Sequence, residues 1–542
     1  MPPATEENDN QVEVKRTEKT ENNSESPPDQ PQQTESPKPK RPKFLKWLVA
    51  LAVVALIAAA ALLAIRSLDN KSEDTDQAQK KDIPSLRIGY TSGPLNSFYP
   101  GGYTNSANFM EVNLQIFEGL VRYEDKTKIA PALATGWSNP DSSTWVFNIR
   151  PNVKFHTGRT MTSEDVKVSL EAAKTNPDLE LYSSTISKIE TVDSDKVKIT
   201  TEGTDPILLN KLNYLFIFDT KSDKKDDPIN ATGPYVIKPG TEAEEAKVQL
   251  AAYDDYYQGR PSTRELELLW YEEQQNAVDD FNGGKLDIVG YLDGPYIEKL
   301  NPHEPYVVDP PASRYLRLNT TKPNSPLSKK EFREGLQYLL DKPAIIKTGG
   351  SGKPATQIVP QEVPGYDPTI KSPEKDVTKA KALFTAAGYP NGATLSIISS
   401  SVPDSIAEIE RQFAEGGIKL QVEDIPDFDA FLARVDTGKA DLVLQGYSSD
   451  FLDGSDFLSE LTGYTMYKNE EISKLVDEAS QSLDSADRLA KLKQASKLAA
   501  EDVAVLPLAY PQDVYGMNKA YILTPDTTST LVQAYYWKAY QE

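Results

Sequence analysis

The segment GGSGKP at residues 349–354 carries the glycines and the lysine that a phosphate-binding loop uses. Such a loop also needs a glycine five residues before its last glycine and Ser or Thr after the lysine. Lys347 and Pro354 occupy those places, which argues against nucleotide chemistry. Nucleophilic hydrolysis needs a general base, usually histidine. Only His156 and His303 are present, and there is no cysteine. His156, in VKFHTG, reads as a turn residue bonded to backbone, and His303, between Pro302 and Glu304, as a solvated loop residue. Two separated histidines without thiolates make no transition-metal cage, so neither a metal nor another cofactor is expected. Carboxylate pairs such as Asp254–Asp255 signal nothing in a chain of net charge −22. These residues point away from an enzyme. The stretch best arranged for recognition is DLVLQGYSSDFLDGSDFL (441–458), in which an apolar strand delivers the chain to a polar loop. Binding groups are often held that way, on a loop with a rigid support.

The elements around that loop begin with KFLKWLVALAVVALIAAAALLAIRSL, residues 43–68. Trp47 to Ile65 is free of charge, and about 19 helical residues rise roughly 28 Å, close to the thickness of a bilayer core. A signal peptide would have a shorter run near residue 1 and a small-residue cleavage site, so 43–66 is expected to be an uncleaved transmembrane anchor. Lys38, Lys40, Arg41, Lys43 and Lys46 precede it, whereas Arg66 and Lys71 are diluted by Asp69, Glu73, Asp74 and Asp76. The positive-inside rule puts the N-terminus in the cytoplasm and the large body outside the cell membrane, extracellular or periplasmic. Residues 1–42 are too polar to offset the entropy of folding and are expected to be disordered, with 67–83 a solvated stalk. The remainder of the 542 residues is too long for one core. The acidity argues against a nucleic-acid partner.

Within the body, SLRIGYT (85–91), TWVFNIR (144–150), KVKIT (196–200) and ELELLWY (265–271) read as strands, the first two by clear apolar–polar alternation. Thr162 and Asp165 form a capping-box pattern opening a helix, and KDVTKAKALFTAAGYP predicts a helix ending at Gly388. A long helical pattern runs from Asn469 to Ala500 with a break near Leu483. Gly119 suits a helix end, Gly158 a turn with positive φ, and Trp137, Trp145 and Phe147 a core.

Residues 117–173, FEGLVRYEDKTKIAPALATGWSNPDSSTWVFNIRPNVKFHTGRTMTSEDVKVSLEAA, resemble the N-terminal signature of extracellular solute-binding proteins of the oligopeptide/dipeptide/nickel ABC importer class, family 5. The resemblance continues in family order through ATGPYVI (231–237), AAYDDYYQGRP (251–261), FNGGKLDIV (281–289), YLRLNTTKPNSPLSKKEFREGLQYLLDKPAII (315–346), KALFTAAGYPNG (381–392) and AVLPLAY (504–510). It implies an α/β, bilobal, periplasmic-binding-protein-like body of type II with an additional domain. Lobe 1 would comprise 84–117, 231–312 and 511–542, the additional domain 118–230, and lobe 2 313–510. Crossings near Pro310–Leu316 and Leu508–Val514 would form the hinge.

By the same resemblance, the protein is a monomer that captures peptides for an importer permease. Asp450 matches the loop aspartate that pairs with a peptide's α-ammonium, a task suited to an acceptor of several charge-assisted hydrogen bonds. Tyr447 stands where relatives often place tryptophan, and Tyr103 and Asn105 lie in a ligand-lining loop that Gly101 and Gly102 let approach closely. Relatives use an arginine at the place of Leu444, or one after a strand like 393–405, and this chain has neither. The ammonium end of a peptide is therefore provided for and the carboxylate end is not. A nickel chelate or oligosaccharide as cargo, or a surface sensor or adhesion role on the same fold, are the alternatives.

Overall fold

Alternating segments become strands, and the sheets they join set where a ligand can sit. The computed structural model describes residues 82–91, 107–124, 128–222, 230–238, 246–301, 305–400, 402–449, 451–463, 465–518, 521–522 and 536–541. Leu86–Tyr90 is the middle of a seven-stranded sheet, parallel to Glu265–Trp270 and Ile288–Gly290. Antiparallel Asp513–Met517 and Tyr306–Val308 extend one side, and Lys247–Ala252 and Tyr235–Ile237 the other. In a second, six-stranded sheet, Ala393–Ser399 runs parallel to Ile418–Asp424 and to the start of Leu442–Ser448. Ala312–Leu318, Val505–Pro511 and Gly352–Pro354 complete it in antiparallel fashion. A four-stranded antiparallel sheet holds Thr144–Ile149 and Lys196–Thr201 at its centre.

The chain leaves the first sheet at Val308, enters the second at Ala312, and returns between Pro511 and Asp513. Val308 pairs with Asp513 and Arg314 with Ala509, so the two crossings run side by side. Paired extended segments of this kind can absorb a hinge rotation.

Local signals explain the helices. Ser163–Lys174 opens on a reciprocal capping box between Thr162 and Asp165, and Arg159 also holds Asp165. Val377–Ala386 stops before Gly388, whose φ is 93°. The long pattern divides into Glu470–Ser480 and Ser485–Glu501. Trp145 and Phe147 are buried in the main core with Trp137 packed against it. Gly158 has φ 83°, as a left-handed turn requires. Gly119 differs from expectation: the helix before it ends at Ile116, and a Cβ on Gly119 would collide with the Leu212 carbonyl oxygen. Close packing fixes this glycine, not the end of a helix. Among the described residues no helix is long and apolar enough to cross a membrane. The candidate anchor at 43–66 lies outside them.

Candidate functional site

Parallel strands leave their carboxyl ends on one edge of a sheet, where α/β proteins hold ligands. In the first sheet those ends lead to Thr91, Tyr271 and Tyr291–Asp293; in the second, to Ser400, Ile425 and Ser449. The two edges approach each other. A Cβ built on Gly294 would lie 3.8 Å from the Gly350 Cα, and the Asp293 carboxylate acts electrostatically on Arg314. Tyr291 sits at this edge with φ 61°, a left-handed conformation that a non-glycine residue holds only where its surroundings enforce it. Thr91 contributes by donating its hydroxyl to the Tyr291 carbonyl at 2.7 Å.

A cavity of about 250 Å³ opens at the second edge, lined by Arg314, Val402, Phe428, Phe431 and the strand residues Leu444, Gln445 and Gly446, among others. Phe428 is 61% exposed and stacks on Phe431 at 6.2 Å, which gives the mouth an apolar lip. The wall follows from strand length. Of Leu442–Ser448, Ala393–Ser399 pairs only with Leu442 and Val443, while Ala312–Leu318 pairs with the whole strand. Beyond Val443, no strand among the described residues flanks the cavity side.

Arg314 lies directly opposite Gly446. A register shift between Arg314 and Tyr315 interrupts pairing with Val505–Pro511, and bulges of this kind re-aim side chains. The guanidinium donates through Nη1 to the Gly349 carbonyl oxygen at 3.2 Å. Loss of water around it draws its pKa below the usual arginine value, and Asp293 opposes that shift. Arg317, on the same strand, is answered by the Glu460 carboxylate, to which Gln445 also donates at 2.6 Å. Among the described residues the buried Gln445 amide oxygen has no hydrogen-bond partner.

Of the residues singled out by sequence, Tyr447 is half-buried and stands edge-on to Phe457 at 5.2 Å. Asp450, Tyr103 and Asn105 lie outside the described residues, as does His303. The turn after Ser448 is more than polar. The Ser449 hydroxyl donates to Asp456 at 2.5 Å and accepts from the Phe451 N–H at 3.2 Å. Phe451 and Leu452 then enter the core built mainly by the first half of the chain, at 6% and 2% exposure. The Phe451 ring meets Tyr182 edge-on at 5.5 Å, and its carbonyl accepts from Asn210 Nδ2 at 2.7 Å and Tyr123 OH at 3.2 Å. Two adjacent large apolar residues in a polar loop were the available signal.

The dismissed motifs have structural roles. His156 Nε2 is 2.9 Å from the Gly233 carbonyl oxygen, and its backbone N–H donates to Ala231. Around 349–354 a helix precedes and a strand follows, the reverse of the strand-then-helix context a phosphate loop needs.

Comparison with known proteins defines the class. Residues 128–469 match the family described as bacterial extracellular solute-binding proteins, family 5 Middle. The Nickel-binding protein NikA of Staphylococcus aureus is 25% identical over 435 residues, covering 77% of this chain and 88% of that one. Di/tripeptide-binding protein 1 of Pseudomonas aeruginosa is 25% identical over 489 residues, covering 79% and 89%. The solved structure of HbpA2 from Haemophilus parasuis superposes with a TM-score of 0.75 at 23% identity, over 84% of this chain and 100% of that one. The body therefore has the bilobal α/β fold of periplasmic binding proteins. The chain belongs to the family 5 extracellular solute-binding proteins.

Proposed function

We propose that this protein is tethered to the cell membrane and captures peptides outside it for an ABC importer, closing two lobes around them. The observation that carries the reading is the uncovered side of Leu444–Gly446, beside the 250 Å³ cavity at the carboxyl ends of parallel strands. An extended peptide adds to such an edge through main-chain hydrogen bonds, which give affinity across many side chains. The name of the Pseudomonas relative, a di/tripeptide-binding protein, supports the same cargo. Asp450 would hold the ligand's α-ammonium, with Tyr447, Tyr103 and Asn105 lining the site. Sheet membership supports a division into 84–117 with 231–312 and 511–542, then 118–230, then 313–510. Residues 43–66 would anchor this monomer, with 1–42 in the cytoplasm and 67–83 as a stalk.

Native mass spectrometry of full-length protein extracted from membranes reads both the chain and what travels with it. The expected result is a chain that keeps residues 1–42 and carries peptides. A chain starting between about 64 and 85 removes the anchor, since processing would fall there. A nickel chelate or an oligosaccharide as the bound mass overturns peptide capture.

A further inference from the structure

Arg314 is the one cation lining the cavity beside Leu444–Gly446 among the described residues. Of its five N–H donors, Nη1 bonds the Gly349 carbonyl, and among the described residues no carboxylate pairs with the guanidinium. Gly349 closes the helix Lys342–Thr348, so part of this arrangement is a cation at a helix C-terminus. That role uses one edge of a planar fork and leaves the rest. Gly349 is also what admits the side chain, because a Cβ there would stand 2.7 Å from Arg314 Nη1 and 2.6 Å from Ser405 Oγ. The opposing acid, Asp293, is outside ion-pairing distance and is committed to Gln274, which donates to it at 2.8 Å. A half-buried guanidinium has lost part of its water without gaining a counter-charge, and an arriving oxyanion offsets that cost with parallel charge-assisted hydrogen bonds.

We infer that Arg314 is an anion clamp that takes the carboxylate of a solute lying along Leu444–Gly446. The inference rests on the peptide reading for the solute's orientation, and it assigns the C-terminal carboxylate to this guanidinium. It supplies the partner that neither Leu444 nor the 393–405 stretch provides. The position is built from three segments distant in sequence: the strand Ala312–Leu318, the helix end at Gly349 and the turn at Asp293.

The test is calorimetric titration of full-length protein with trialanine and with trialanine C-terminal amide, using the native chain, Arg314→Gln and Arg314→Lys. The native chain should lose about 30-fold or more in affinity on amidation of the peptide. Arg314→Gln should bind acid and amide alike, at the level of the native chain with the amide. Arg314→Lys should recover part of the preference, because it keeps the charge and lacks the fork. Equal binding of acid and amide by the native chain overturns the clamp while leaving peptide capture standing. If the native chain binds neither peptide, thermal melts with citrate and with inorganic phosphate decide. Stabilisation of the native chain by citrate, and not of Arg314→Gln, supports a carboxylate clamp for a non-peptide solute. Stabilisation by phosphate alone, or by neither anion, overturns it.

Discussion

Phe451→Ala tests whether the turn after Leu442–Ser448 latches the lobes together. The ring follows a strand of the six-stranded sheet, yet its contacts are Tyr182 at 5.5 Å and the Lys211 ammonium 5.9 Å from its centroid. At 6% exposure it gains nearly the full transfer free energy of a phenylalanine side chain, about 1.5–3 kcal/mol. If opening the lobes exposes the ring, truncation removes that amount from the closed state alone. The closed-to-open ratio should then fall about tenfold to 150-fold. A ligand that binds only the closed form loses affinity by up to the same factor. Asn210→Ala approaches the contact from the 118–230 segment, removing the 2.7 Å donor to the Phe451 carbonyl. It should cost about 0.5–1.5 kcal/mol, or roughly two- to tenfold. Small-angle scattering of full-length protein reads the radius of gyration without ligand and at saturation, and titration calorimetry reads the affinity. Both variants should be more expanded without ligand and reach the native closed radius at higher ligand concentration. Unchanged radius and affinity for Phe451→Ala would refute the latch and leave the ring a permanent part of the first core.

Two further predictions concern carboxylates. Burial raises the Glu118 carboxyl to about 7, against lowering hydrogen bonds from Thr232, Tyr257 and Tyr256. Because the folded pKa lies above the ordinary value, this group's stabilisation is complete below about pH 4.5 and is lost as pH rises toward 7, roughly 3 kcal/mol in all. Glu118→Gln should abolish that decline in thermal melts between pH 5 and 8, and a variant curve as steep as the native one would assign the decline to other groups. Asp450→Asn should weaken binding of a free-amine peptide by about 30-fold to several thousand-fold. Acetylating the peptide should cost the native chain a similar amount, and the two losses should not add because they delete one interaction; additive losses in a calorimetric cycle would make Asp450 a turn cap.

The parts of the fold that follow from neighbours in sequence were legible. Alternation located Leu86–Tyr90, and capping residues located the start of Ser163–Lys174. Glycine and proline placed the end of Val377–Ala386, because backbone geometry there is decided within a few residues. Gly119 looks like a local signal, but Leu212, some ninety residues away, is what fixes it. Arg314 was silent for the same reason. On a strand it reads as an ordinary polar position, and its partners, the Gly349 carbonyl and the Asp293 charge, come from segments distant in sequence. Phe451 and Leu452 carried a legible oddity, apolar bulk in a polar turn, but their destination among residues 123–214 is a tertiary fact.

The strand Leu442–Ser448 shows how capture and closure can be one event. Its cavity side at Leu444–Gly446 is bare of strand partners among the described residues, and Arg314 stands opposite Gly446 from a strand that begins at the crossing between sheets. Five residues beyond Gly446, the same chain delivers Phe451 to the first core. A solute lying along that strand would therefore touch a group carried by the strand that follows the crossing and stiffen the run that leads to Phe451. Coupling of this kind does not require the solute to bridge the lobes. It requires only that the solute bind better when Phe451 is docked than when it is not, and the free energy of that preference is all that it can contribute to closure. A latch worth about 1.5–3 kcal/mol would let a weakly held solute complete a movement that its own contacts could not sustain. The same latch would limit selectivity by closure, since part of the closed state's stability would be present whatever solute lies in the cavity. Discrimination then falls to groups that meet the solute directly, and in the described structure the charged one is Arg314.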